Sequence, residues 1–405
     1  MIRRPRVVFW DNLPSPYGVE QYNLLADRAR LDLRVWFNAR TESDRSWTVD
    51  ESTWRFPAEY ISNPGCSLHE LRRFSARCGT FQPDVLVSPY GDLGYAAGYL
   101  VTRALGIKTV LVVQRTFDAW VRRAWWKERA KQVLFRSAEA AQVPGPDGDA
   151  YARRYGFPAE RIFPVTLTTN VGQYARPLSP DERREHRARL GVEGCVFLYA
   201  GRLWKPKGLV YLIEAFRQAR TVNAAMSLLI VGDGVDEGEL RAAAEGIPGI
   251  TFSPFVQAPD LYAYYAASDV FVFPTLGDPH GQVIEEAHAA GLPVIATSAI
   301  GDVHRRVADG VMGYVVPPGD AAALAKRMLE LAADPARRRA MGECGAVRAR
   351  AWDHDAYAAE METLVDACLA AGPRANMSAR VVAAAGRVAL YVAAPSRGAL
   401  HREFP

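Results

Sequence analysis

Hydrophobic positions in this chain fall in short apolar runs bounded by turn residues, and these alternate with longer stretches whose apolar positions recur at helical spacing. In the first half the runs are Val7–Trp10, Leu31–Phe37, Val85–Ser88 and Lys108–Val113. The second half repeats the rhythm with Cys195–Ala200, Leu228–Val231, Val270–Pro274, Pro293–Ala296 and Tyr314–Val316. This is the pattern of βα units around parallel sheets, so an α/β fold is expected. After Trp352, the stretch Asp355–Leu369 predicts a helix with apolar positions at Ala358, Met361, Leu364, Val365 and Cys368.

A chain of 405 residues with 49% hydrophobic content is long enough for two domains, each with its own core. Between Asn170 and Gly191 the sequence turns polar and charged, and Ser179-Pro180-Asp181-Glu182 reads as a helix start. The boundary is placed there. The expected parts are residues 1–175 and 176–352, a helix over 353–371 and a basic tail, 372–405, that is amphipathic, disordered or both.

Lysine and arginine number 49 against 45 acids, and a net charge of +4 does not by itself imply nucleic acid. Cys66, Cys78, Cys195, Cys344 and Cys368 are scattered without metal-ligand spacing, and read as reduced packing residues. Met1 to Arg6 runs straight into an apolar strand pattern without a signal-peptide core, and no window reaches eighteen uninterrupted apolar residues. A cytoplasmic protein that does not span a membrane is expected.

Two segments carry the candidate chemistry. In Leu198–Gly208 a strand pattern ends at Gly201 and passes Arg202 and Lys207 before a helix, a place where cations could neutralise charge growing on a diphosphate. In Thr275–Ala287 a second strand end leads through Asp278 and Gly281 into a helix bearing Glu286. Gly281 would let backbone N–H groups of the first helical turn face an anion, and the two carboxylates could accept hydrogen bonds from sugar hydroxyls. Glu285, about a quarter-turn from Glu286, is read as the solvated acid.

These segments, with Ile230–Gly234, Tyr265–Thr275, Gly291–Thr297 and Val307–Asp320, form an ordered set that resembles glycosyltransferase family 4. The resemblance implies a GT-B architecture: two Rossmann-like domains facing across a cleft, with the donor on the C-terminal one and a final helix crossing back. It implies a retaining transfer from a nucleotide-diphosphate sugar to an acceptor hydroxyl, with no metal or other cofactor. Carried over, Arg202 and Lys207 bind the diphosphate, Glu286 the ribose and Asp278 the donor sugar. The backbone at Phe255 and Val256 meets the base, and that of Gly281, Gln282 and Val283 the phosphate or sugar. Asp278 stands where the family usually has Glu, and His280 where an aromatic is common. After the first strand, relatives carry paired glycines facing the donor; here only Gly18 is available. Alternatives on the same fold are a nucleotide-sugar epimerase or hydrolase, and a non-catalytic partner subunit that binds nucleotide sugar.

Other residues take plainer readings. Gly232-Asp233-Gly234 is a strand-end turn lining the nucleotide pocket, His288 a packing residue, and Tyr262, Tyr264 and Tyr265 core. The segment Trp120–Arg136 mixes tryptophans with cations at helical density. It suits either an ordinary surface helix or an anionic membrane surface, with the tail from Arg374 to Arg402 as a second anchor and a lipid-linked acceptor in view.

Overall fold

The computed structural model describes residues 3–42, 46–48, 50–61, 67–90, 93–114, 125–352, 354–372 and 377–393. They form two compact units, one from residues 1–42, 49–166 and 357–405, the other from 43–48 and 167–356.

The first unit is built on seven parallel strands: β1 (Arg6–Asp11), β2 (Asp32–Phe37), β3 (Ala58–Tyr60), β4 (Val85–Pro89), β5 (Lys108–Val112), β6 (Ala140–Val143) and β7 (Ile162–Pro164). Their order is β3-β2-β1-β4-β5-β6-β7. β1 explains why an unbroken apolar run makes a strand here. Val7 and Phe9 enter a core shared with helix Pro16–Arg28 and helix His354–Ala370, while Val8 and Trp10 enter the opposite core with helix Leu68–Phe81. Helices on both faces require apolar residues at every position.

The helix expected after Trp352 is His354–Ala370, and Tyr357, Ala358, Met361, Leu364, Val365 and Cys368 are all buried in the first unit. Lys108 caps its end, donating from Nζ to the carbonyl of Ala371 at 2.8 Å. Within the tail, residues Met377–Ala393 are a helix packed on helix Leu93–Ala104. At Gly386 the approach is so close that a Cβ would lie 2.0 Å from the carbonyl oxygen of Leu100.

The second unit holds six parallel strands: β8 (Cys195–Ala200), β9 (Met226–Val231), β10 (Ile250–Ser253), β11 (Val270–Phe273), β12 (Val294–Thr297) and β13 (Gly313–Val316). Their order is β10-β9-β8-β11-β12-β13. Both sheets therefore reverse direction beside their own first strand, the doubly wound pattern in which ligands bind at the carboxyl ends of the strands. Ser179 starts helix Pro180–Leu190 with a capping box: its backbone N–H donates to Glu182 Oε2 at 2.8 Å, and its Oγ accepts from Glu182 N–H at 3.3 Å. Residues 46–48 belong with this unit, where Ser46 Oγ donates to Asp233 and the Ser46 carbonyl accepts from Gln257 Nε2 at 3.2 Å.

Cys78, Cys195 and Cys368 are buried free thiols, and burial pushes each up to about 12. Cys344 departs from the packing role expected of it, being exposed, and Cys66 lies outside the described residues.

Candidate active site

The strand ends of the second unit deliver the candidate residues. β8 runs into Gly201, Arg202 and a short 3₁₀ turn, Lys205–Lys207, before helix Leu209–Val222. β11 runs into residues 274–282 and then helix Val283–Ala289. The two loops are latched. Leu276 N–H donates to the Pro206 carbonyl at 2.8 Å, and Thr275 Oγ1 donates to the same oxygen at 3.0 Å. Gly208, at φ 69°, permits this approach, since a Cβ there would lie 2.1 Å from the carbonyl oxygen of Pro274. The neighbouring turn after β9 is held by Leu203 N–H donating to the Asp233 carbonyl at 2.7 Å.

That latch brings Lys207 and Asp278 together. Lys207 Nζ donates to Asp278 Oδ2 at 2.5 Å, and both side chains are less than a fifth exposed. Lys207 Nζ also stands 5.1 Å from the centre of the Phe273 ring. Arg202 lies over Trp204, with Cζ 4.6 Å from the ring centre. Burial works to raise the pKa of Asp278, but the Lys207 ammonium and the N–H groups of His280 and Gly281 outweigh it and hold the carboxyl below 3.8.

Those two N–H groups correct one expectation. His280 and Gly281 donate to Asp278 Oδ1 at 2.8 and 2.7 Å, so the Gly281 N–H faces a carboxylate of its own loop rather than an open anion position. The short side chain of Asp278 closes a local turn through these bonds. The helix's own ladder begins with Ile284 N–H to the Gly281 carbonyl at 2.9 Å, one step beyond Gln282 and Val283. Gln282 Nε2 donates to the Thr168 carbonyl at 3.3 Å.

Glu286 is fully buried and accepts from Tyr265 Oη at 2.7 Å. Tyr265 is core, as expected, yet it also partners a predicted site carboxylate; an apolar-looking helix position gave no signal of that. Phe255 and Val256 follow β10 in a half-buried loop. Gly18 lies in the first unit, in the first turn of helix Pro16–Arg28, with its N–H donating to Ser15 Oγ at 3.2 Å.

Glu285 is a second correction. It is buried, not solvated, because helix Val283–Ala289 is covered on that side by Arg306, which donates to Glu285 Oε1. Arg306 Nη2 also lies 2.7 Å from His280 Nδ1, while His280 Nε2 is 3.3 Å from the Leu167 carbonyl. Arg306 Nη2 is also 2.9 Å from His280 Nε2, so a guanidinium stands against both ring nitrogens and favours the neutral imidazole. Burial, and then the Arg306 charge, hold His280 well below 6.5. Burial likewise brings His288 down to about 4, and its ring, packed as expected, has Nε2 3.0 Å from the Arg306 carbonyl. No spacing rule marks Arg306: its partners are 21 and 26 residues away in sequence.

Residues 194–334 match the family model described as glycosyl transferases group 1, and residues 18–168 match the glycosyl transferase 4-like domain. The D-inositol 3-phosphate glycosyltransferase of Pseudarthrobacter chlorophenolicus is 33% identical over 231 residues, 55% of this chain and 52% of that protein. The phosphatidyl-myo-inositol mannosyltransferase of Mycobacterium leprae is 33% identical over 189 residues, 46% of this chain and 50% of that protein. In each case the match spans about half the length of the relative. Among solved structures, Anabaena HepE in complex with UDP superposes with a TM-score of 0.74 at 19% identity, covering 89% of this chain and all of that one, a likeness of fold.

Proposed function

Since this chain belongs to glycosyltransferase family 4 and has its GT-B fold of two Rossmann-like domains, we propose that it moves a hexose-type sugar from a nucleotide-diphosphate donor to an acceptor hydroxyl, with retention. The observation that carries this reading is the latched pair of loops setting Lys207 against Asp278 at the carboxyl edge of the second sheet. In this reading the bond from the anomeric carbon to the leaving phosphate oxygen breaks as the acceptor oxygen bonds to that carbon. The leaving phosphate takes the acceptor proton, and Lys207 and Arg202 stabilise the charge that grows on it, without a metal ion.

Asp278, already ionised, binds donor-sugar hydroxyls. Glu286 binds the ribose, which asks it to share or exchange its present partner Tyr265. The backbone at Phe255 and Val256 meets the base, and Gln282 and Val283 the phosphate or sugar. Bound UDP in HepE supports a nucleotide donor, and the name of the mannosyltransferase relative supports an acceptor in bacterial glycolipid assembly, with polysaccharide assembly the other setting proposed.

The test is a thermal-shift screen of nucleoside diphosphates and their sugars, followed by transfer to glycolipid acceptors with the anomeric configuration read by NMR. A donor present at a hundred times its dissociation constant stabilises by about 2.7 kcal/mol, a readily measured rise in melting temperature. If no nucleoside diphosphate or nucleotide sugar raises it, the reading fails.

A further inference from the structure

We propose that one helical layer of the first unit is a docking surface for anionic lipid bilayers, and that helix Met377–Ala393 is its contact element. The proposal stands apart from the transfer reading and does not depend on it.

The helix has two unlike faces. Ala379, Val382 and Gly386 are buried against the unit, with Gly386 pressed onto the Leu100 backbone. On the other side Val381, Ala384, Ala385 and Val388 are exposed, Val381 at 52% and Val388 at 63%. Their spacing places these four on one stripe. Arg380 and Arg387, seven residues apart and both exposed, flank it. The helix contains no acidic residue. A stripe of valine and alanine edged by arginine is what a bilayer interface accommodates, with apolar side chains among the acyl chains and guanidinium groups at head-group level.

The rest of the layer has the same character. Helix Met377–Ala393 packs against helices Leu68–Phe81, Leu93–Ala104 and Trp125–Ser137. These four helices contain ten lysines and arginines against two glutamates, whereas the whole chain has 49 against 45. Arg77 and Arg103 are paired with Glu59 and Glu139. Arg73 pairs with Glu70 at 3.7 Å, and Arg72, Arg73, Lys127 and Arg129 are all exposed. Trp125 and Trp126, at the start of helix Trp125–Ser137, are 77% and 55% exposed, and Lys127 lies over the Trp126 ring at 5.3 Å.

Lys131 turns inward, donating to Tyr151 Oη at 2.9 Å, so this helix is anchored from below and presents its first turn. The earlier part of the Trp120–Arg136 segment, through Ala124, lies outside the described residues, as do Arg374 and the part of the Arg374–Arg402 tail beyond Ala393. No helix among the described residues is long and apolar enough to cross a membrane. The excess of cations around exposed apolar groups selects an anionic bilayer over a neutral one or an acid-poor protein face.

The experiment is flotation of the full chain with vesicles of phosphatidylcholine alone and with added phosphatidylglycerol, at low and high salt. The wild type should float only with the anionic vesicles and less at high salt, because the attraction is screened beyond about 8 Å at physiological ionic strength. Arg380→Ser with Arg387→Ser should lower partitioning by about fivefold per charge removed. Val381→Asp with Val388→Asp should abolish it, while Val347→Asp, an exposed site in the second unit, should leave it unchanged. Circular dichroism confirms that each variant folds. Three results overturn the proposal: a wild type that stays soluble with anionic vesicles, stripe variants that float like wild type, or a concentration-dependent dimer that Val388→Asp dissolves, which would make a second copy the occupant.

Discussion

Lys207 Nζ sits 2.5 Å from Asp278 Oδ2, across 71 residues of sequence, in an ion pair that neither loop could form alone. Two loops from adjacent parallel strands are joined through the Pro206 carbonyl, so each charge is positioned by the other's strand. The bonds to the Pro206 carbonyl hold the loops together without the ion pair, so either charge can be substituted with its partner's loop in place.

Lys207→Ala and Arg202→Ala should each leave the fold intact and cut transfer by roughly a hundredfold, the scale on which one preorganised charge stabiliser acts. Steady-state kinetics with circular dichroism checks this. Near-normal turnover in both variants would remove them from the mechanism.

Glu286→Ala should weaken binding of the free nucleoside diphosphate and of the donor alike, whereas Asp278→Ala should weaken only the sugar-bearing donor. A ribose ligand acts with or without the sugar; a sugar ligand cannot. Calorimetry with both ligands separates the roles, and equal losses in all four combinations would contradict them.

Arg306→Ala should destabilise the second unit by about 3–5 kcal/mol, since it strands the buried Glu285 carboxylate. Replacing both residues, Arg306→Met with Glu285→Leu, should recover most of the loss. Urea unfolding of the single and double variants measures the difference; a double variant no better than the single would mean the pair is not the source of the cost.

His280 and His288 are held below 6.5 by burial, so the unfolded chain binds protons that the folded one refuses. Their contribution is complete above the unfolded value and is lost as pH falls from there, until His288 protonates in the folded state near 4. Each histidine should cost about 1.4 kcal/mol per pH unit within that window. Urea unfolding at neutral pH and at about pH 5 should show a fall of roughly 2 kcal/mol from His288, with His280 adding in the same direction. Equal stability at the two pH values would show that the rings are not buried neutral.

If Arg202 and Lys207 supply the positive charge at the leaving phosphate, as proposed, a chelator should leave transfer unchanged. An assay with and without EDTA decides it: loss of activity restored by a divalent cation would assign that role to a metal.

Much of the fold was legible in the linear pattern because its strands are covered on both faces. Burial on both sides demands consecutive apolar residues, and runs such as Val7–Trp10 and Cys195–Ala200 announce themselves. The helix over His354–Ala370 was legible for the complementary reason, its buried positions recurring at helical spacing. β3, β7 and β10 were not, because they are edge strands only partly buried and so need no unbroken apolar run, and β6 is Ala-Ala-Gln-Val, which carries little strand preference.

The candidate site divides the same way. Local sequence determined which loops bear glycine, cations and carboxylates, since a strand end that turns into a helix needs those residue types close together. Only the tertiary structure decided their partners: Lys207 with Asp278, Tyr265 with Glu286, and Arg306 with both Glu285 and His280. It also took Glu285 out of water and turned the Gly281 N–H toward Asp278. These outcomes depend on which strand lies beside which, and in a parallel sheet neighbours in space are separated by whole crossover helices in sequence. Burial and pairing are properties of that packing, and no local spacing encodes them.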